Sequence, residues 1–399
     1  MTNPRVCVLT SSFPEGPGDS AGVFVQEQVK RLALGTSLHV VYPSRTNGTV
    51  SEEAFVRHGV GYPFKTHAMS QVRGLECAKA LQVVNAMART VRASGPYDLY
   101  HAYWAIPSGF VARCVSGGMP VVLTLCGSDL NTFADRRGFD VAVRWALAGA
   151  TRVIAVSNGL LDRAIDLGVD PERCTSIPSG VDTAAFMPCS HRECARERLG
   201  VPDDFACVFV GSLFRNKRVD RLIRAIARVS NRQSCALVVV GDGPERRSLE
   251  AVAIECGVRV LFLGRLPNER IAEVVGSCDA FVMASKSEGL PTAAQEALSC
   301  GIPIVALDVG GLREIVIDGQ TGYLARDEIE LTRRLEDMIG DREGLARMRR
   351  MARAFAEREL SIERTAARTL KVYDSALEAY KRDLPRWQCS QAQYWRYSH

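Results

Sequence analysis

Residues 285–301 read SKSEGLPTAAQEALSCG. The apolar run before this stretch, Ala280 to Ala284, is short and uninterrupted, as expected of a strand buried on both faces of a parallel sheet. Gly289 and Pro291 break the strand. Thr292 is a helix-capping residue type, and Ala293, Ala294, Ala297 and Leu298 give the following segment helix formers and an apolar face, until Gly301 stops it. A helix entered this way aims unpaired N–H groups and the positive end of its dipole at whatever lies in front, which suits an anion. Glu288 precedes the helix and Glu296 sits on it. Carboxylates beside an anion site are poor partners for phosphate and good ones for sugar hydroxyls, since each accepts two donors. On these residues alone, a plain strand–turn–helix with a capping box remains open.

The same unit recurs outward in both directions. Val6–Leu9, a helix over Val23 to Leu34, and strand Leu38–Tyr42 make a β-α-β opening, so the spacing predicts a doubly wound parallel α/β sheet. Strands are expected at Tyr97–Tyr100, Val121–Leu125 and Arg152–Ser157. A second β-α-β run begins at Ala206, with strands at Ala236–Val240 and Val260–Leu263. The 399 residues suit two domains, each large enough to bury a core. The expected division is 1–190, a linker at 191–204, a second domain at 205–360, and a terminal helix at 361–385.

Composition excludes several classes. The net charge of +5 is mild and spread along the chain, with no stripe for nucleic acid. Thirteen cysteines form no C-x-x-C pair, which argues against zinc or disulfide frameworks and for a reducing cytoplasm. No apolar stretch reaches membrane-spanning length and no signal-peptide core is present, so contact with a membrane would be peripheral. The basic helical pattern Arg73 to Ser94 is a candidate for such contact, or a solvated face. Gly16 to Ala21 formally matches G-x-G-x-x-A, but Pro17 removes a needed N–H and the loop is long, which disfavours a dinucleotide site.

Glu288, seven residues, then Glu296, with Gly289 directly after the first glutamate, resembles the E-x7-E signature of retaining nucleotide-sugar glycosyltransferases, in particular family 4 with its GT-B fold. The resemblance covers nearly the whole chain and is most specific from Gly211 to Gly322. It implies two facing Rossmann-like domains with the substrates in the cleft between them. Lys217 falls where the family pattern G-R-x-x-x-x-K has its lysine, but Ser212 replaces the arginine, so Arg215 becomes the candidate second cation for a leaving diphosphate. The resemblance further implies that Glu296 holds the ribose and Glu288 the donor-sugar hydroxyls. Gly22, Gly211, Ser212, Arg265, Leu266, Gly289, Leu290, Pro291 and Thr292 would complete the donor site. His101, expected at a strand end, would face the reacting sugar, with Tyr103, Trp104 and Asp129 on the acceptor side.

Departures stand at Ser212, at Tyr103 where a second histidine is common, and at Cys126 where a polar residue is usual. His101 as a core histidine and Asp129 as a helix cap remain open. The implied reaction moves a hexose-type sugar from a UDP- or GDP-sugar to a hydroxyl of a lipid-linked glycan, polysaccharide or small molecule. No cofactor or metal is expected, since the chain lacks D-x-D. A nucleotide-sugar epimerase and a non-catalytic nucleotide-sugar binder are the alternatives.

Overall fold

The computed structural model describes residues 3–16, 19, 21–61, 76–135, 138–201, 205–230 and 235–383. Arg73, the residues Pro17, Gly18 and Ser20 of the Gly16–Ala21 loop and the side chain of Lys79 lie outside them.

Two sheets form. The first contains β1 (Arg5–Leu9), β2 (Ser37–Ser44), β3 (Gly48–Ser51), β4 (Phe55–Gly61), β5 (Leu99–Tyr103), β6 (Val121–Leu125), β7 (Arg152–Ala155) and β8 (Cys174–Ser176). Their spatial order is β3-β4-β2-β1-β5-β6-β7-β8, and every pairing except β3–β4 is parallel. The second sheet contains β9 (Phe205–Val210), β10 (Cys235–Val240), β11 (Arg259–Gly264), β12 (Ala280–Met283), β13 (Ile304–Leu307) and β14 (Gly322–Ala325). It is wholly parallel, in the order β11-β10-β9-β12-β13-β14. Helices cover both faces, so β10 and β12 are buried at every position. The molecule therefore has two Rossmann-like domains.

In each sheet the chain winds outward from a central pair, β1/β5 in the first and β9/β12 in the second. The loops leaving the carboxyl ends of such a pair diverge to opposite faces and open a crevice, the place where doubly wound sheets bind ligands. Loop 211–218 follows β9 and loop 284–291 follows β12, so Lys217 and Glu288 flank the second crevice.

The last helix, Ile362–Asp383, packs on the helix Val23–Leu32 rather than on the second sheet. Its Ala366, Tyr373 and Ala376 are buried in one cluster with Val6, Val8 and Leu99 of the first sheet. The chain enters it through a main-chain bridge in which Val181 N–H donates to Leu360 and Ile362 N–H donates to Val181, at 2.8 and 2.9 Å. Among the described residues, no helix is long and apolar enough to cross a membrane.

Candidate active site

A cavity of about 1090 Å³ lies between the two domains, lined almost entirely by residues just past strand carboxyl ends. The second domain contributes Gly211, Ser212, Lys217, Arg265, Leu266, Glu288 to Ala293 and Glu296; the first contributes Ser12, Phe13, Ser44, Trp104, Cys126 and Ser179, among others.

The helix Thr292–Ser299 points its amino end at this space, with Thr292 and Ala293 on the cavity wall. Thr292 is its first residue and not its cap, because Pro291 takes the capping position. No side chain caps the helix, so its leading N–H groups stay available to an incoming anion. In front of it Lys217 Nζ donates to Glu288 Oε1 at 2.6 Å. One cation and one carboxylate thus hold each other in place across the two crevice loops. Arg215 is exposed and absent from the cavity wall, which removes it as the second diphosphate cation. The short 3-10 turn Arg215–Lys217 puts the two side chains on different sides, and Arg265 is the other cation lining this domain's face.

Glu296 sits on the cavity floor and accepts no hydrogen bond from the described residues. Burial raises its carboxyl from the usual 4.5 to about 7. Folding therefore favours its neutral form. That contribution to stability is complete below pH 4.5 and is lost as pH rises through about 7. Glu296→Gln, which keeps the shape and removes the charge, is expected to flatten the fall in melting temperature of the ligand-free protein over this range. Thermal unfolding of both proteins across pH 4.5–7.5 checks it.

The first domain corrects three expectations. β5 runs from Leu99 to Tyr103, later than the sequence reading placed it, so His101 lies mid-strand and fully buried. Its Nδ1 bonds the Tyr373 hydroxyl and its Nε2 the Thr124 hydroxyl, both at 2.7 Å, and burial drops its pKa to about 3. It is a neutral core histidine joining the last helix to the sheet. Tyr103 is also fully buried, its hydroxyl donating to Gln28 Oε1 at 2.6 Å. The cleft residue is Trp104, the first beyond the strand, held at φ 67° with its ring edge-on to Phe24.

Asp129 is buried and accepts N–H groups from Gly127 at 2.8 Å, Leu130 at 3.2 Å, Cys126 at 3.3 Å and Ala105 at 3.4 Å. It organises the two loops at the ends of β5 and β6 and does not reach the cavity. Gly22 lies just outside the wall at φ 70°; a Cβ there would stand 2.2 Å from the Ser12 carbonyl oxygen. That glycine lets the loop after β1 fold back beneath the cavity.

Sequence reading missed the network joining this site to the rest of the first domain. Gln28 donates to the Ser179 carbonyl at 2.6 Å, and Gly180 N–H donates to Gln295 Oε1 at 3.1 Å. A glutamine inside an amphipathic helix carries no local signal. Glu15, Asp19 and Arg45 also line the cavity, and their places after β1 and β2 were the available clue.

Comparison with known proteins agrees with this geometry. Residues 16–180 match the model of a glycosyl transferase 4-like domain, and residues 192–355 that of glycosyl transferases group 1. A D-inositol 3-phosphate glycosyltransferase of Xylanimonas cellulosilytica is 30% identical over 94% of this chain and 97% of its own. The chain belongs to the family 4 glycosyltransferases. TuaC of Bacillus subtilis, a glycosyltransferase assigned to teichuronic acid biosynthesis, is 31% identical over 78% of this chain and 82% of that protein. Among solved structures, sucrose-phosphate synthase from Thermosynechococcus elongatus superposes with a TM-score of 0.81 at 20% identity, covering 94% of this chain and all of that one. Anabaena Alr3699/HepE in complex with UDP and glucose gives 0.73 at 21% identity, over 94% and 100% of the two chains. These likenesses give this glycosyltransferase the GT-B fold.

Proposed function

We propose that this glycosyltransferase transfers a hexose-type sugar from a UDP- or GDP-sugar to a hydroxyl acceptor with retention at the anomeric carbon. The observation that carries the reading is the convergence of Lys217, Glu288, Glu296 and one uncapped helix terminus on a single interdomain cavity. Each has a distinct task. The helix terminus and Lys217 receive the diphosphate, whose charge grows as the glycosidic bond breaks. Glu288, displaced from Lys217 by the phosphate, turns to the sugar hydroxyls, and Glu296 takes the ribose.

Retention follows from attack on the donor face that the diphosphate leaves, with the departing phosphate oxygen taking the acceptor proton. The correction at His101 leaves Trp104 as the aromatic surface beside the acceptor. The Lys217 charge and the helix dipole perform the electrostatic task that a metal has in other transferases, so no metal is required. Relatives named for D-inositol 3-phosphate and for teichuronic acid biosynthesis support trying polyols and cell-envelope glycans as the first acceptors.

A mass-spectrometric screen of UDP- and GDP-sugars, following release of the nucleoside diphosphate in excess EDTA, tests the reading. Slow hydrolysis of one donor, undiminished by EDTA and abolished in Glu296→Ala, is expected. A donor bound tightly yet never consumed, even with membrane extract supplying acceptors, would instead favour a non-catalytic binder.

A further inference from the structure

At the carboxyl end of the helix Thr292–Ser299, opposite the cleft, a second cavity of about 370 Å³ opens. It shares no lining residue with the first. Arg349, Arg350 and Arg353 reach it from the helix Arg342–Glu359, and Arg192 from the helix Arg192–Leu199. Their counter-charges are few. Arg192 and Arg349 share Asp279, at 2.5 and 3.2 Å, with Arg196 as a third partner. Arg353 Nε donates to Glu357 at 2.7 Å. Arg350 makes no ion pair or hydrogen bond with the described residues and lies exposed at the cavity mouth. Among the described residues, the four guanidinium groups that line the cavity, those of Arg192, Arg349, Arg350 and Arg353, meet two carboxylates, Asp279 and Glu357.

Two further observations characterise this cluster. The Nε–H of Arg349 is buried without a hydrogen-bond partner, a costly arrangement for a charged donor. The same arginine has its pKa lowered to about 10, by burial first and then by repulsion from Arg192 and Arg196. An oxyanion against Arg349 and Arg350 would satisfy the free N–H and offset the excess charge together.

We infer that this second cavity binds a phosphate-type oxyanion, either inorganic phosphate or a small phosphomonoester. A buried free N–H on Arg349 beside the unpaired guanidinium of Arg350 favours a dianion with several acceptor oxygens over a carboxylate. The volume lies near the lower end of ordinary ligand pockets and exceeds what a bare phosphate fills, so it admits a small organic group on the ester. The site is coupled to the cleft by covalent chain. Arg353 Nη1 donates to the carbonyls of Thr183 and Phe186, in the segment that leads out of the first domain, and to that of Ser299 on the helix carrying Glu296.

The test is a titration of the full chain with inorganic phosphate and with glycerol 1-phosphate, at ionic strength held constant with sodium chloride. The Arg349 Nε–H resonance is followed by nitrogen-15 NMR and identified by its disappearance in Arg349→Lys. A saturable shift is expected in the wild type and equally in Lys217→Ala, whose donor site is impaired. Arg350→Ala, an exposed change that leaves the fold in place, should weaken binding roughly tenfold. Tighter binding of the ester than of the ion would assign an esterified ligand, and the reverse order a free one. An identical shift with chloride alone would overturn the proposal. So would a shift lost in Lys217→Ala but kept in Arg350→Ala, since phosphate would then be entering only the cleft.

Discussion

Lys217→Ala is expected to lower kcat by roughly 10²–10³ while leaving the protein folded. The side chain is part-exposed on a loop, and its one partner among the described residues is Glu288 at 2.6 Å. Loss of such a pair costs stability of only about 1 kcal/mol. The kinetic loss is far larger because the ammonium group is fixed in advance where charge develops on the departing diphosphate, and water in its place would have to reorganise. Lys217→Arg is expected to recover part of the rate, since it restores the charge at a slightly different point. Steady-state kinetics with the donor varied, together with calorimetric binding of the nucleoside diphosphate, measure both effects. An unchanged kcat would mean that Lys217 serves only to hold Glu288.

Gly289→Ala is expected to reduce kcat/KM by about 10² through a different route, by holding the domains apart. The two halves meet at Gly127 and Gly289. A Cβ on Gly289 would stand 2.4 Å from the carbonyl oxygen of Cys126, and one on Gly127 would stand 2.9 Å from Gly289 Cα. Both obstacles are backbone, so neither can swing aside. The surrounding contacts are equally close: Asn131 Nδ2 donates to the Glu288 carbonyl at 3.2 Å, and Asn158 N–H donates to Glu314 Oε1 at 2.7 Å. One methyl group on this seam should therefore displace Glu288 and Lys217 relative to Trp104. Small-angle scattering with donor present should show a larger radius of gyration for the variant, at nearly unchanged melting temperature. A variant that closes normally and turns over at the wild-type rate would show that the seam tolerates a wider spacing.

The fold and the second domain's share of the site were legible for one physical reason. Parallel strands buried on both faces are written as unbroken apolar runs, and the glycines and prolines after them mark where backbone turns into a crevice. Lys217, Glu288 and Glu296 sit at such junctions, so their placement came with the strand assignments. The first domain shows where this fails. A strand reading that stopped at Tyr100 rather than Tyr103 put His101 at the rim, and a shift of three residues moved it to the sheet interior. What fixes His101 there is Tyr373, 272 positions away, which no local pattern connects to it. Asp129 carries the same lesson. Its four N–H donors come from two loops that only the folded sheet brings together.

The route of the last helix has a bearing on how the protein is made. With Tyr373 locked to His101 and the Val181–Ser361 bridge closing the entry, the first domain is discontinuous, and the second is threaded through it as an insertion. During vectorial synthesis the second domain emerges complete while the first still lacks the segment that covers Val6, Val8 and Leu99. The usual amino-to-carboxyl order of domain maturation is thereby reversed. A fragment ending near residue 190 would carry an open apolar face into solution.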